Sequence, residues 1–452
     1  MKTRNLNLAI LILAITTLTV SAQDFLSAGN KSAESGTMQV YLTVDDAVRI
    51  ALDNNLSLRQ NAIDLGVKKR AQDRSWNSLL PTLGASAIIS HPTSVTGPVE
   101  PSNMNVWTPG FSISAGFTLS VSVIDTIKKA QADYQSGLLS YEAVNQEIEL
   151  QVRKLFYQLL LLDSNRELAT HNFQNAQSRY EQTAVLARIG QSSKVDELSA
   201  RVDMENLRPT VINTKTLYEN SMDSFKTILG IPAEAMVELD GDLYVVNNSV
   251  EITKNISSVN TGSGDSLETL QLLQSIRSME SHRNSIRSNA YIPNLRLSWS
   301  STPLYNIQND KWSDNGSFSV SLGINIDNFL PWSTTKTQID NLNDNIRSAQ
   351  IQLSDTLRNR DNRINQNIRT IARILESLDA MALNVELAQS TYEMIEDAYS
   401  RVAADYQRLR NAGDSIGQAK NQLLQEQYNF ISTLLDLEKE LNIPFGTLSK
   451  GE

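Results

Sequence analysis

Along residues 111–122 apolar and polar side chains alternate without a break. Phe111, Ile113, Ala115, Phe117, Leu119 and Val121 fall on one side, and Ser112, Ser114, Gly116, Thr118, Ser120 and Ser122 on the other. Successive side chains of a strand point to opposite faces, so this stretch predicts a β-strand with one apolar and one polar face. The pattern returns further on, with Phe318, Val320, Leu322, Ile324 and Ile326 set against Ser317, Ser319, Ser321, Gly323 and Asn325. Looser alternation near Leu83–Ser90 and Leu295–Ser300 supplies partners, giving strand pairs over about residues 83–121 and 294–326. A soluble core and a lipid bilayer both accept an apolar row. The small polar row suits a water-filled barrel lumen, which makes Ser112, Ser114, Thr118, Ser120, Ser317, Ser319 and Ser321 lumen candidates.

The second pattern has a longer period. Ile148, Val152, Leu155, Leu159, Leu162, Ala169, Phe173, Ala176 and Tyr180 follow steps of four and three, interrupted only at Arg166; Ile364, Ile368, Ile371, Leu375, Leu378, Ala382 and Val385 do the same. That is the seam of a coiled coil. No proline or evident stop breaks 124–188 or 333–411, so helices of roughly 100 Å are expected, far beyond ordinary globular lengths. Each runs into a glycine followed by serine, Gly190 with Ser193 and Gly413 with Ser415, which predicts two helical hairpins with tips at 190 and 413.

These elements occur twice. Leu80-Pro81-Thr82-Leu83 and Ile292-Pro293-Asn294-Leu295 lie 212 residues apart, and so do Leu229-Gly230-Ile231-Pro232 and Leu441-Asn442-Ile443-Pro444. The offset implies a duplicated unit of domain size, well beyond the period of a solenoid repeat. The first tip lies 42 residues before Pro232 and the second 31 before Pro444, so outgoing helices of unequal length are expected. The expected organisation is a first repeat at 43–232, a linker at 233–264, a second repeat at 265–444 and a tail at 445–452.

The N-terminus changes the setting. Lys2 and Arg4 precede the apolar run Leu8–Val20 and the small-residue site before Ala22, which reads as a secretory signal peptide over 1–22 followed by an extended segment to 42. There is no cysteine, which excludes disulfides, thiolate metal sites and a lipidated N-terminal cysteine. The net charge of −10 argues against nucleic acid as a partner. His91, His171 and His282 lack ligand spacing, no nucleophile elbow or phosphate loop occurs, and neither enzyme activity nor a cofactor is expected. Asp45 and Asp46 after Thr43 suit a helix start, and Glu438, Lys439 and Glu440 read as solvated surface. Trp107, Trp299 and Trp332 near strand ends suit interfacial belts. No later segment is apolar enough for a spanning helix, so any membrane crossing is by strands. Four strands cannot close a barrel, which makes such a chain an oligomer.

The opening Leu42-Thr43-Val44-Asp45-Asp46-Ala47-Val48, with Ala51-Leu52-Asp53-Asn54-Asn55-Leu56, then Leu80-Pro81, the tip Gly190 to Ala200 and the tandem duplication resemble the TolC family of outer-membrane efflux and secretion channels. The resemblance covers nearly all of the chain after the leader. It implies a homotrimer in which each protomer gives four strands to a twelve-stranded transmembrane β-barrel, continued by a long periplasmic coiled-coil helical barrel. The linker Ala233–Asp265 would form an equatorial belt, the loops His91–Pro109 and Pro303–Gly316 would face outside, and the tips Gly190, Ser193, Gly413 and Ser415 would meet a periplasmic adaptor and an inner-membrane pump. The family often places acids six and nine residues after the second glycine. Here Ala419 and Gln422 stand there, so Asp196, Asp405 and Asp414 become the candidates for lining the periplasmic aperture. A periplasmic coiled-coil adaptor or scaffold is the alternative reading; such proteins have one hairpin and no serine-lined strand pairs.

Overall fold

The computed structural model describes residues 39–91, 108–243, 266–306, 311–314, 316–401 and 403–450. The expected leader, most of the segment to 42, most of the loop His91–Pro109 with Trp107, and residues 244–264 of the linker lie outside the described residues. Gln39 and Val40 with Glu234–Glu238 belong to a small unit, in which the strands β1 (Gln39–Leu42) and β4 (Met236–Leu239) begin. All other described residues form the second unit.

That unit opens with α1 (Val44–Asn54), capped by Thr43, whose hydroxyl oxygen accepts from the Asp46 N–H at 3.3 Å. Asn55 then caps α2 (Leu56–Asp73) by accepting from Ser57 N at 2.9 Å. A 3-10 turn at Ser75–Leu79 leads into the hairpin of β2 (Thr82–Ser90) and β3 (Thr108–Leu119), followed by the helices α3 (Ser122–Arg188) and α4 (Lys194–Leu229). The second copy runs α5 (Leu267–Tyr291), β5 (Asn294–Ser301), a short hairpin β6 (Pro303–Asn306) and β7 (Lys311–Asp314), then β8 (Ser317–Gly323), α6 (Thr334–Ser400), α7 (Tyr406–Leu441) and α8 (Thr447–Lys450).

Both long helices, α3 and α6, have 67 residues, and both outgoing helices, α4 and α7, have 36. Every one of these boundaries repeats at the 212-residue offset, so the expected inequality of the outgoing helices is corrected. Gly413 does not form the second turn; it lies inside α7. The chain reverses between the end of α6 at Ser400 and the start of α7 at Tyr406, where Asp405 caps α7 by accepting from Arg408 N at 2.8 Å. Ala403 N donates to Ala398 O at 2.8 Å, the counterpart of Gln191 N to Leu186 O at 2.8 Å in the first turn. A capping acid thus marks the second turn. At Gly413 an added Cβ would meet Arg179 and Tyr392 of neighbouring helices at 3.5 and 3.6 Å, so this glycine sits at a packing contact.

The strands form one antiparallel sheet in the order β2, β3, β5, β8, with β6 and β7 continuing it beside the start of β3. Ser120 falls beyond β3, and its hydroxyl instead lies 2.8 Å from that of Ser122 at the start of α3. Ile324 and Ile326 likewise fall past β8, Ile326 opening a 3-10 turn. In the helices, Ile148, Val152, Leu159, Ala169 and Ala176 are buried as the seam requires. Phe156 and Leu161 are also buried although they lie off it, because α3 packs against α4, α5 and α7 together.

Glu438 corrects the solvated reading. Leu434, Leu437, Glu438 and Leu441 share the inward face of α7 at helical spacing, and Glu438 is 1% exposed. Its carboxylate accepts from Gly446 N at 2.9 Å and Leu448 N at 2.8 Å, fixing the C-terminal segment on the helix. Burial pushes its pKa above the ordinary 4.5 despite those two N–H groups. The folded chain therefore holds the Glu438 proton more tightly than the unfolded chain. That contribution to stability is full below about 4.5 and is lost as pH rises through the raised value. Glu438→Gln is expected to flatten this part of the pH dependence of Tm. Glu438→Ala strands a buried N–H and is expected to cost about 1–3 kcal/mol in denaturant unfolding.

Candidate functional site

Two features of the larger unit have the makings of a site: the sheet and the pair of helical turns. The sheet register carries the alternation across all four main strands. Leu83 faces Ala115, Ala115 faces Trp299 and Trp299 faces Phe318; Phe117 faces Leu297, which faces Val320; Leu119 faces Leu295, which faces Leu322. One face is therefore an apolar band, and it is open to its surroundings, with Leu83 81% and Leu322 73% exposed. The aromatic rings of Phe111, Trp312 and Tyr305 stack along the same band.

The opposite face aligns Ser86 with Ser112 and Gly84 with Ser114, and Ser114 with Ser300, which pairs in turn with Ser317. Hydroxyls bridge strands there, Ser298 to Ser319 at 2.7 Å and Ser300 to Ser317 at 3.0 Å. Six of the lumen candidates, Ser112, Ser114, Thr118, Ser317, Ser319 and Ser321, lie on this polar face, and Ser120 does not.

At the first turn Gly190 adopts φ 78°, the left-handed conformation that glycine tolerates. Ser193 caps α4, accepting from Asp196 N at 3.0 Å, while Ser193 N donates back to the Asp196 carboxylate at 3.2 Å. The Ser193 hydroxyl also donates to that carboxylate at 2.7 Å, and this bond chiefly holds the Asp196 pKa below its ordinary range. Asp196 and Asp405 are therefore both engaged in capping at the two turns. Asp414 lies two helical turns along α7, 3.9 Å from Arg410. Ser415 donates to Asn411 O within the same helix.

The structure brings the two hairpins together through residues the sequence did not single out. Tyr406 donates to Asp203 at 2.8 Å, and Arg410 approaches the other Asp203 oxygen at 3.4 Å. The Thr183 and Tyr399 hydroxyls lie 2.8 Å apart, and Arg179 donates to the Tyr392 hydroxyl at 3.4 Å. Tyr392, Tyr399 and Tyr406 are buried with Leu409 and Ala412, and the Tyr399 and Tyr406 rings meet edge to face. Burial first, and then the Asp203 carboxylate that takes its hydrogen bond, push the Tyr406 pKa upward, so it stays a donor at neutral pH. These ties join α4 to α7 and α3 to α6, across 203 to 216 residues of sequence. The seven-residue spacing of Tyr392, Tyr399 and Tyr406 was the available signal.

Among the described residues no group of His, Asp or Glu side chains is placed to hold a metal ion, and no helix is long and apolar enough to cross a membrane.

Residues 47–231 match the model of a family described as Outer membrane efflux protein. No curated protein matches the sequence. The fold is similar to that of the CmeC outer membrane channel of Campylobacter jejuni, at 14% identity over 88% of this chain and 85% of that one, with a TM-score of 0.74. It is similar to VceC, an outer membrane protein of Vibrio cholerae, at 14% identity over 89% and 96% with a TM-score of 0.73. The open state of the Neisseria gonorrhoeae MtrE outer membrane channel gives 16% identity over 88% and 89%, with a TM-score of 0.72.

The two caps make a paired prediction for hydrogen exchange. Ser193→Ala is expected to speed exchange in the first turn of α4, and Asp405→Ala in the first turn of α7, each by about fivefold for a cap worth about 1 kcal/mol. Gly413→Ala leaves both turns unchanged and slows exchange around residue 413, since alanine favours the helix.

Proposed function

We propose that this chain, whose residues 47–231 carry the outer membrane efflux protein domain and whose fold is that of the outer-membrane channels, is the passive exit duct of a multi-part export machine. The observation that carries the reading is the one-sided sheet joined directly to paired 67-residue helices. The apolar band suits lipid and the serine-lined face suits water. The chain sits in the outer membrane and reaches into the periplasm through its helices.

Three copies supply the closure that one sheet lacks, their strands completing a twelve-stranded barrel. Exposed apolar side chains at helical spacing support side-by-side packing of copies: Val195, Leu198 and Val202 on α4, and Leu383, Leu387 and Met394 on α6. The turns at Gly190–Ser193 and 401–405 face an adaptor and an inner-membrane pump, which supplies the energy and selects small-molecule or protein cargo. Cargo passes through without reaction.

The ties between hairpins serve as the latch of the periplasmic end. Separating hairpin 2 from hairpin 1 near the turns breaks Tyr406–Asp203, Arg410–Asp203 and Thr183–Tyr399 at once. Asp196, Asp405 and Asp414 are the acids that line the aperture in this reading, Asp405 beside Arg408 and Asp414 beside Arg410.

The mature protein is expected to need detergent, to migrate without heating at three times its heated mass, and to open discrete channels in planar bilayers. A monomer soluble without detergent would exclude the duct. Tyr406→Phe combined with Asp203→Asn is expected to raise single-channel conductance several-fold; a conductance equal to that of the unaltered protein would remove the latch while leaving the duct. Neutralising Asp196, Asp405 and Asp414 together is expected to lower cation preference, read as the reversal potential in a salt gradient.

A further inference from the structure

Across the four main strands of the sheet the wet face carries one positive charge; on the β6–β7 extension Lys311 lies on the same face, opposite Asn306. On β2, β3, β5 and β8 the positions of the polar face hold Ser, Thr, Gly, Asn, Ile88 and a single ionisable residue, Arg296. Arg296 faces Thr118 on β3 and Ser321 on β8 in the strand register. It is exposed, and no ion pair or hydrogen bond engages its guanidinium among the described residues. This contrasts with the acidic balance of the whole chain, 50 Asp and Glu against 40 Lys and Arg.

Its place along the strand is equally informative. Arg296 is the third residue of β5, five positions after the last residue of α5, and its neighbour Thr118 is one residue from the end of β3. The charge therefore sits where the sheet gives way to the helices. Because β5 is flanked on both sides by strands of its own chain, copies joining at the free edges of β2 and β8 leave the flanks of Arg296 uncharged.

We infer that Arg296 from each copy forms a cationic collar at the helix-side entrance of the barrel, a specificity-determining ring that favours anionic cargo and repels cations. The inference rests on the duct reading and adds to it a charge filter separate from the acids near the turns. Twelve strands about 4.8 Å apart and tilted by about 40° enclose a backbone radius of roughly 12 Å. An inward arginine then holds its charge within about 10 Å of the axis, the screening length at 0.1 M salt. Three such charges at that distance change the occupancy of a monovalent anion on the axis about twofold.

The test uses the full mature chain in planar bilayers with a potassium chloride gradient around 0.1 M. Arg296→Gln is expected to lower the chloride-to-potassium permeability ratio about fourfold, twofold from the anion and twofold from the cation, and Arg296→Glu to lower it further, with both differences shrinking at 1 M salt. Pores of normal conductance whose ratio is the same in all three proteins would overturn the collar alone. Absence of pores from the unaltered protein and from the latch variant would overturn the duct reading, and the collar with it. The cysteine-free chain permits a second readout, since Arg296→Cys introduces a unique thiol. A membrane-impermeant thiosulfonate carrying a positive charge is expected to restore the ratio, and one carrying a negative charge to lower it below the Gln value. An introduced thiol that neither reagent modifies in folded trimers would place this strand position away from water and overturn the inference.

Discussion

Everything in this protein is arranged around strands that have no partner on one side. β2 and β8 end the sheet of a single chain, and each offers a row of backbone N–H and C=O groups at its free edge. In hydrocarbon such groups have no water to turn to, so an open edge there costs several kcal/mol per group. The apolar band of Phe111, Trp299, Phe318 and Leu322 gains only by leaving water, while the edges forbid one chain from leaving it alone. In the proposed duct, membrane insertion and assembly are thereby one event. Strand number per chain, small as it is, dictates that the duct be shared.

Outside the membrane a different requirement takes over. Two helical hairpins of equal length extend from the sheet, each returning through a capped turn. Burial along the seams and the contacts of α3 with α4, α5 and α7 hold them together over most of their course. Near the turns the contacts become polar, with tyrosine hydroxyls meeting Asp203, Thr183 and Arg179. Hydrogen bonds can be broken and remade at modest net cost in the presence of water, whereas a packed aliphatic seam cannot. The aliphatic part of the hairpins and the part near the turns, the proposed latch, thus differ in chemistry.

The duplication, the strand alternation and the seam were plain in the sequence because each rests on a period that burial enforces. What escaped notice has physical reasons. Gly413 looked like a turn because glycine commonly ends helices, but here it lies within α7, where even an added Cβ would make only ordinary contact with Arg179 and Tyr392. Adding the repeat offset to Ser193 points to Asp405, a good capping residue, and would have placed the turn correctly. Glu438 looked solvated beside Lys439 and Glu440, yet it shares a helical face with Leu434 and Leu441. Ser120 continued an alternation that the helix start of α3 had already ended. The Asp203–Tyr406 tie was invisible because no local pattern records a contact made across 203 residues.

The identity of helix lengths in the two copies has an evolutionary meaning. Over 67 and then 36 residues neither copy has gained or lost a single net position relative to the other, although their sequences have drifted far apart. The segment between the first strand and the long helix keeps the same length in the two copies, yet its described elements differ, Ile326–Phe329 forming a 3-10 turn where the first copy still runs as β3. The helices behave as a measuring rod whose two halves are calibrated against each other. A deletion in one would lift its turn away from its twin and strand whatever docks on both. Length change in this architecture is open only to paired events, while the side chains along the helices remain free to vary.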